Sequence, residues 1–243
     1  MASKTRLDQL LVDRGLAESR ERAKALILAG EVTVNGQRAD KPGHSIADDA
    51  RVDVAARPPY VSRGGFKLAA ALDRWQIDPA GRICFDAGAS TGGFTDCLLQ
   101  RGAAKVYAYD VGTAQLDWKI RSDPRVVARE GINLRNLTRA DVPDPVSLAV
   151  CDVSFISATL ILPALAAILE PTGELVVLVK PQFEAGRGQV GKGGIVKDPA
   201  LHAAACQRVR EAAVALGFAR MNLMESPILG AEGNQEFLLY AAH

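Results

Sequence analysis

Asp152 and Lys180 each stand at the end of an apolar run, Leu148-Ala149-Val150-Cys151 for the first and Leu175-Val176-Val177-Leu178-Val179 for the second. In an open parallel sheet, ligands bind beyond the carboxyl ends of the strands, so these are positions where chemistry would sit. A partly desolvated lysine beside an acid can take a proton from a ribose hydroxyl as that oxygen attacks a methyl group. A lone Asp–Lys pair would serve equally well as a structural ion pair at the sheet edge. Two further charges add to the pair. Glu236 opens the last apolar run, whose antiparallel direction would bring its start to the same end of the sheet, and Lys67 follows a proline-rich stretch in Ser62-Arg63-Gly64-Gly65-Phe66-Lys67.

Two more strand ends point to a bound nucleoside. Ile83-Cys84-Phe85 runs into Asp86-Ala87-Gly88-Ala89-Ser90-Thr91-Gly92-Gly93, a glycine-rich turn. Glycine there lets the backbone approach a ligand, and free amides at a helix start favour a carboxylate. Lys105-Val106-Tyr107-Ala108-Tyr109 ends in Asp110, placed to accept from both hydroxyls of an adenosine ribose. The spacing is Gly-x-x-x-Gly-Gly rather than the dinucleotide pattern Gly-x-Gly-x-x-Gly, and Asp86 would repel a pyrophosphate. A cationic amino group would be welcomed instead, as in the methionine part of S-adenosylmethionine. By itself Asp86 reads equally well as a loop-bonding or helix-capping aspartate; with Asp110 the cofactor reading gains. The expected cofactor site is Asp86, Gly88, Ser90, Thr91, Gly92 and Asp110.

These positions require a particular scaffold. Continuous apolar runs alternating with helical patterns from Gly65 onward indicate an α/β domain with a parallel sheet covered on both faces. The last run, Glu236 to Tyr240, follows a strand candidate at Asn222-Leu223-Met224 after a short loop, which suits an added antiparallel hairpin. Between Lys180 and that hairpin lies a basic loop, Arg187 to Lys197, with several glycines. It reads either as a flap over a ligand or as a flexible surface connection.

The front of the chain is a separate small α+β module. Leu7, Leu10 and Leu11 have helical spacing, Ser19 is a candidate N-cap for a second helix carrying Ala23, Leu26 and Ile27, and Gly30 ends it. Val32-Thr33-Val34, Asn35-Gly36 and Gln37-Arg38 read as a hairpin with a two-residue turn. Lys4, Arg6, Arg14, Arg20, Arg22 and Lys24 crowd into the two helices of this module, and Arg63 follows the two prolines. Residues 1–67 hold twelve basic against nine acidic side chains, and the remainder seventeen against nineteen. The excess at the front suits an anionic partner such as RNA, although a solvated helix face would give the same count. Arg57-Pro58-Pro59-Tyr60 reads as a linker. The expected organisation is residues 1–56, a linker over 57–64, and a catalytic domain over 65–243.

Bulk properties exclude several classes. Apolar residues make up 48 % and charged residues 23 %, which is globular composition. No unbroken apolar run would make a signal peptide or membrane span, so a cytoplasmic location is expected. Cys84, Cys97, Cys151 and Cys206 lack Cys-x-x-Cys spacing, and His44, His202 and His243 do not cluster, so no metal is expected.

The runs Tyr60-Val61-Ser62-Arg63-Gly64-Gly65, Asp86 to Cys97, Tyr109 to Thr113, Asp152 to Ser157, Lys180 to Gly186 and Gly233 to Leu238 resemble those of the TlyA or hemolysin A family over nearly the whole chain. The resemblance implies an alpha-L type RNA-binding domain followed by an FtsJ-like, Rossmann-like class I methyltransferase domain. It implies S-adenosylmethionine as cofactor, ribosomal RNA or ribosomal subunits as partner, and 2'-O-methylation of cytidine ribose. It also implies a Lys-Asp-Lys-Glu tetrad at Lys67, Asp152, Lys180 and Glu236. Family members carry an Arg-x-Trp segment where this chain has Arg57-Pro58-Pro59-Tyr60, which sets apart any signalling role of the linker. The alternative function is an RNA-binding ribosome-assembly protein whose methyltransferase fold performs no chemistry.

Overall fold

The computed structural model describes residues 3–55, 58–186 and 188–243. Arg57 of the expected linker and Arg187 of the expected basic loop lie outside the described residues. The chain divides into two compact units, residues 1–59 and 60–243.

In the small unit, β1 (Lys4–Arg6) leads into α1 (Leu7–Asp13), and α2 (Arg20–Leu28) follows. Next come β2 (Val32–Val34), β3 (Gln37–Arg38), β4 (Ser45–Ala47) and β5 (Val52–Val54). Ser19 caps α2, its hydroxyl oxygen accepting from the Arg22 amide. Asn35 and Gly36 take φ of 51° and 78°, both left-handed, which closes the β2–β3 hairpin with Val34 opposite Gln37. Leu7, Leu11, Ala23, Ile27 and Val32 form the buried centre. The period-two pattern of β1 and β4 is too short to read, so their antiparallel pairing comes only from the fold.

The large unit begins with α3 (Gly64–Trp75). Residues 60–64, expected in the linker, pack within this unit: the Val61 amide donates to Asp96 Oδ2 at 2.9 Å, and the Tyr60 and Phe66 rings meet edge to face at 5.3 Å. The chain continues through β6 (Ile83–Ala87), α4 (Gly93–Gln100), β7 (Lys105–Tyr109), α5 (Trp118–Arg121), β8 (Val126–Arg129) and β9 (Val146–Cys151). It ends with α6 (Leu162–Ile168), β10 (Leu169–Val179), α7 (Pro181–Glu184), α8 (Pro199–Ala215), β11 (Arg220–Glu225) and β12 (Phe237–Ala242). The strands form one seven-stranded sheet in the order β11-β12-β10-β9-β6-β7-β8, in which β12 runs antiparallel to both its neighbours.

Side chains along each strand alternate between two cores. Phe85, Cys151, Val177 and Leu239 face α6 and α8, whereas Cys84, Val150, Val176 and Leu238 face α3 and α4. Burying Leu68 and Leu72 of α3 stabilises the second layer by about 2 kcal/mol each. With both faces covered, polar groups collect at the carboxyl rim of β6, β7, β9 and β10. Strand order reverses there between β6 and β9, the position at which such sheets hold ligands.

Candidate active site

β6, β7, β9 and β10 each end at or directly before a residue singled out above. β6 delivers Asp86, which is fully buried, and the chain then turns at Gly88 with φ of 84°. A Cβ on Gly88 would lie 2.6 Å from the Asp152 carbonyl oxygen, so a side chain there would push the β6 and β9 loops apart. Asp110, after β7, accepts from the Ser90 amide at 2.8 Å and from the Gly112 amide at 2.7 Å. It thereby braces the glycine-rich turn, and each oxygen keeps a second lone pair for a ligand. Gly92, with φ of 98°, lies over Ile120 and Leu116 instead of lining either cavity described below; it gives α4 its entry angle.

Lys67, Asp152, Lys180 and Glu236 all line one cavity of about 590 Å³. Lys67 sits in the first turns of α3 and donates to Glu236 Oε2, with both side chains almost fully withdrawn from water. Gly230 makes room for that carboxylate, since a Cβ there would fall 2.0 Å from Glu236 Oε1. Lys180 Nζ is 2.6 Å from Asp152 Oδ1, an ionic contact, and its hydrogen bond goes to Ser154 Oγ at 2.8 Å. The Lys180 ammonium also stands 5.9 Å from the centre of the Phe183 ring. Arg63, Ser90 and Thr91 line the same cavity.

A second cavity, of about 490 Å³, is bounded by Asp110, Gln115, Asn133, Arg135 and Ile156. The two cavities share Gly88, Ser90, Asp152, Ser154 and Phe155, so they meet along one wall. The residues present fit S-adenosylmethionine. Asp86 lines neither cavity, but its buried Oδ1 has no hydrogen-bond partner among the described residues and would suit an ammonium group, while its other oxygen accepts from the Thr95 hydroxyl at 2.6 Å. Burial pushes the Asp86 carboxyl up to about 7, with the Thr95 bond opposing the shift. The glycine turn offers backbone amides, and Asp110 faces the second cavity with a carboxylate suited to a ribose diol.

Thr95, Ser154, Phe155, Gln182, Asn133 and Arg135 were not foreseen. The last two follow β8, a short and partly exposed edge strand without a strong apolar run, so the residues beyond it drew no attention. A signal did exist for Ser154 and Phe155, which stand two and three positions after Asp152 in the same loop.

In the small unit, the expected basic residues divide. Lys4 and Arg6 lie on β1, not in a helix, and Arg14 is the C-terminal cap of α1. Arg14 is spent on the fold, donating to the Ala50 carbonyl at 2.7 Å and to the Asp48 carbonyl. Arg6 and Arg20 both pair with the buried Asp8. Lys4, Arg22 and Lys24 have no carboxylate partner among the described residues; Lys4 and Lys24 are exposed and Arg22 is half-buried. All four cysteines are buried and unpaired.

A sheet of this order with an acid in the last residues of β6, another directly after β7 and a lysine directly after β10 is the arrangement expected of a methyltransferase. Residues 60–243 match the FtsJ-like methyltransferase family and residues 5–52 match the S4 domain. The chain belongs to the FtsJ-like methyltransferase family, with an S4 domain at its front. It is 48 % identical over 242 residues to the 16S/23S rRNA (cytidine-2'-O)-methyltransferase TlyA of Mycobacterium tuberculosis, covering 99 % of this chain and 90 % of that one. It is 44 % identical to Hemolysin A of Brachyspira hyodysenteriae, covering 97 % of this chain and 98 % of the relative. A solved structure from Streptococcus thermophilus, described as a candidate hemolysin, matches all of this chain and 89 % of its own, with a TM-score of 0.75 and 48 % identity. At 16 % identity, a protein from Listeria monocytogenes described as a candidate S-adenosylmethionine-dependent methyltransferase shares the fold with a TM-score of 0.55. No helix among the described residues is long and apolar enough to cross a membrane.

Proposed function

We propose that this protein is an S-adenosylmethionine-dependent RNA methyltransferase acting on the ribose 2'-hydroxyl of cytidine in ribosomal RNA. One observation carries the reading: two lysines and two carboxylates from distant parts of the chain line one cavity, which shares a wall with a second cavity bounded by Asp110. The names of the relatives supply the substrate class, and the S4 domain supplies an RNA-binding module.

Bound S-adenosylmethionine would supply an electrophilic methyl group. Asp86, the amides of the glycine turn and Asp110 would hold its amino acid and ribose ends. Lys180, once its ammonium has released a proton to solvent, takes the proton from the 2'-hydroxyl as the oxygen attacks, and Asp152 and Ser154 fix its Nζ. Glu236 fixes Lys67, which positions the ribose through its remaining N–H donors. Phe155 and Phe183, with ring centres 5.3 Å apart at the cavity wall, offer an aromatic face to an unstacked base. Exposed Lys4 and Lys24, with Arg22, would meet phosphates.

Titration with S-adenosylmethionine followed by incubation with radiolabelled donor and ribosomal subunits tests this. Label should appear in RNA at a position resistant to alkaline hydrolysis. Donor binding without labelled RNA would favour the assembly-protein reading instead.

A further inference from the structure

Residues 152–158 carry the wall common to both cavities, through Asp152, Ser154 and Phe155. Val153 and Ala158 of this segment are buried in the core and Ile156 packs against it, but Phe155 stands out of that packing. Phe155 takes φ of 65°, a left-handed conformation unfavourable for a bulky residue, and its ring is 92 % exposed. Such a conformation persists only where the surroundings fix it. On the upstream side, the Asp152 amide donates to the Ala87 carbonyl at 2.9 Å.

The downstream anchor is Glu184, a carboxylate that methyl transfer as described does not use. It lies on α7, one turn after Lys180, and is almost fully buried. The Ser157 hydroxyl donates to its Oε2 at 2.5 Å and the Ala158 amide donates to its Oε1 at 2.7 Å. Both oxygens are thus committed to two successive residues of the segment that follow the shared wall. The Glu184 carbonyl in turn accepts from the Arg208 guanidinium of α8, which ties α7 to the helical layer. Burial pushes the Glu184 carboxyl up, a cost that an apolar residue would not carry.

We infer that Glu184 is a positioning residue that holds the 152–158 segment in register with Lys180, so that the donor cavity and the RNA cavity are built from one tether. The role rests on the methyl-transfer reading above. Lys67 and Glu236 stand outside this tether and are unaffected by its loss.

The test uses the full chain with Glu184→Ala, Glu184→Gln and Ser157→Ala. Donor affinity is read by calorimetric titration with S-adenosylmethionine, and chemistry by single-turnover methyl transfer to ribosomal subunits, each well below the thermal midpoint of the variant. Glu184→Ala should weaken donor binding and slow the single turnover by about tenfold or more each. Glu184→Gln, whose Oε1 still accepts from the Ala158 amide, should restore most of both. Ser157→Ala should show a smaller loss of both, and it carries the same test if Glu184→Ala does not fold. A lowered thermal midpoint with unchanged affinity and rate would reduce Glu184 to a capping residue and overturn the inference. If the unaltered protein binds donor but labels no RNA, the methyl-transfer reading falls, and the donor titration alone decides the role of Glu184.

Discussion

Asp8 in the small unit and Glu236 in the large unit are both carboxylates hidden from water and facing cations, yet their partners differ. Asp8 has no exposed side-chain surface, while the Arg6 and Arg20 side chains that grip it are 51 % and 49 % exposed. Glu236 is 3 % exposed, and its partner Lys67 is only 10 % exposed. The first arrangement is a brace with its positive ends in solvent, where they can attract a polyanion while ordering the module. In the second, anion and cation are both withdrawn into a cavity wall, where a charge is costly unless paired and its position is fixed. The exposure of the cation, and not the presence of an ion pair, separates the two regions.

Several experiments would break or sharpen this contrast. Lys180→Ala in the buried site should slow single-turnover methyl transfer by about a thousandfold or more, with donor affinity within about twofold. An unchanged rate would remove Lys180 as the base. Gly230→Ala, whose new Cβ would crowd Glu236, should cost about tenfold to a hundredfold in the same rate without unfolding the protein, as followed by circular dichroism.

Asp86 gives a pH signature. Its carboxyl is pushed up to about 7 by burial, so the donor-free fold prefers the protonated form. That contribution to stability is present below about 4 and is lost as pH rises through about 7. Donor affinity should move the opposite way, rising with pH over the same range as the carboxylate forms. Asp86→Asn should flatten both profiles in thermal melts and titrations, and two unchanged slopes would mean that another group sets them.

At the exposed brace, effects are smaller. The Arg6 hydrogen bond and ion pair lower Asp8 to about 2, with burial opposing. Its stabilisation is present above the ordinary carboxylate value and lost as pH falls through about 2. Asp8→Asn should therefore lower the thermal midpoint at neutral pH by about 2–4 °C, with little effect on the single-turnover rate at saturating RNA. Smallest of all, Lys24→Ala should leave the turnover intact and reduce the slope of log RNA affinity against log salt by about one. A large loss of turnover from Lys24→Ala would erase the proposed division of labour.

Much of the large unit was legible because its strands are continuous apolar runs whose ends carry charged residues. Asp86, Asp110, Asp152 and Lys180 could be picked out as strand-end residues from that pattern alone. Thr95 could not, because a threonine in a helical first turn is unremarkable until Asp86 is seen above it with one oxygen bonded and the other orphaned. Asn133 and Arg135 were missed with β8, whose burial is too partial to produce an apolar run. In the small unit, the hairpin and the Ser19 cap were legible because turn and cap chemistry is local. The division of its basic residues into braces and free charges was not, because Arg14 finds its carbonyl partners 34 and 36 residues away.

Local chemistry in the sequence determined the strands, the glycine turn, the caps and the presence of every charged group at the rim, since each depends on residues within a few positions of one another. The tertiary structure decided which charge meets which: Lys67 with Glu236, Lys180 with Asp152 and Ser154, and Glu184 with the segment that carries the wall between two cavities. Those pairings join segments that come together only when the sheet order is set, and desolvation, which gives each pair its character, exists only after the helical layers have closed over both faces.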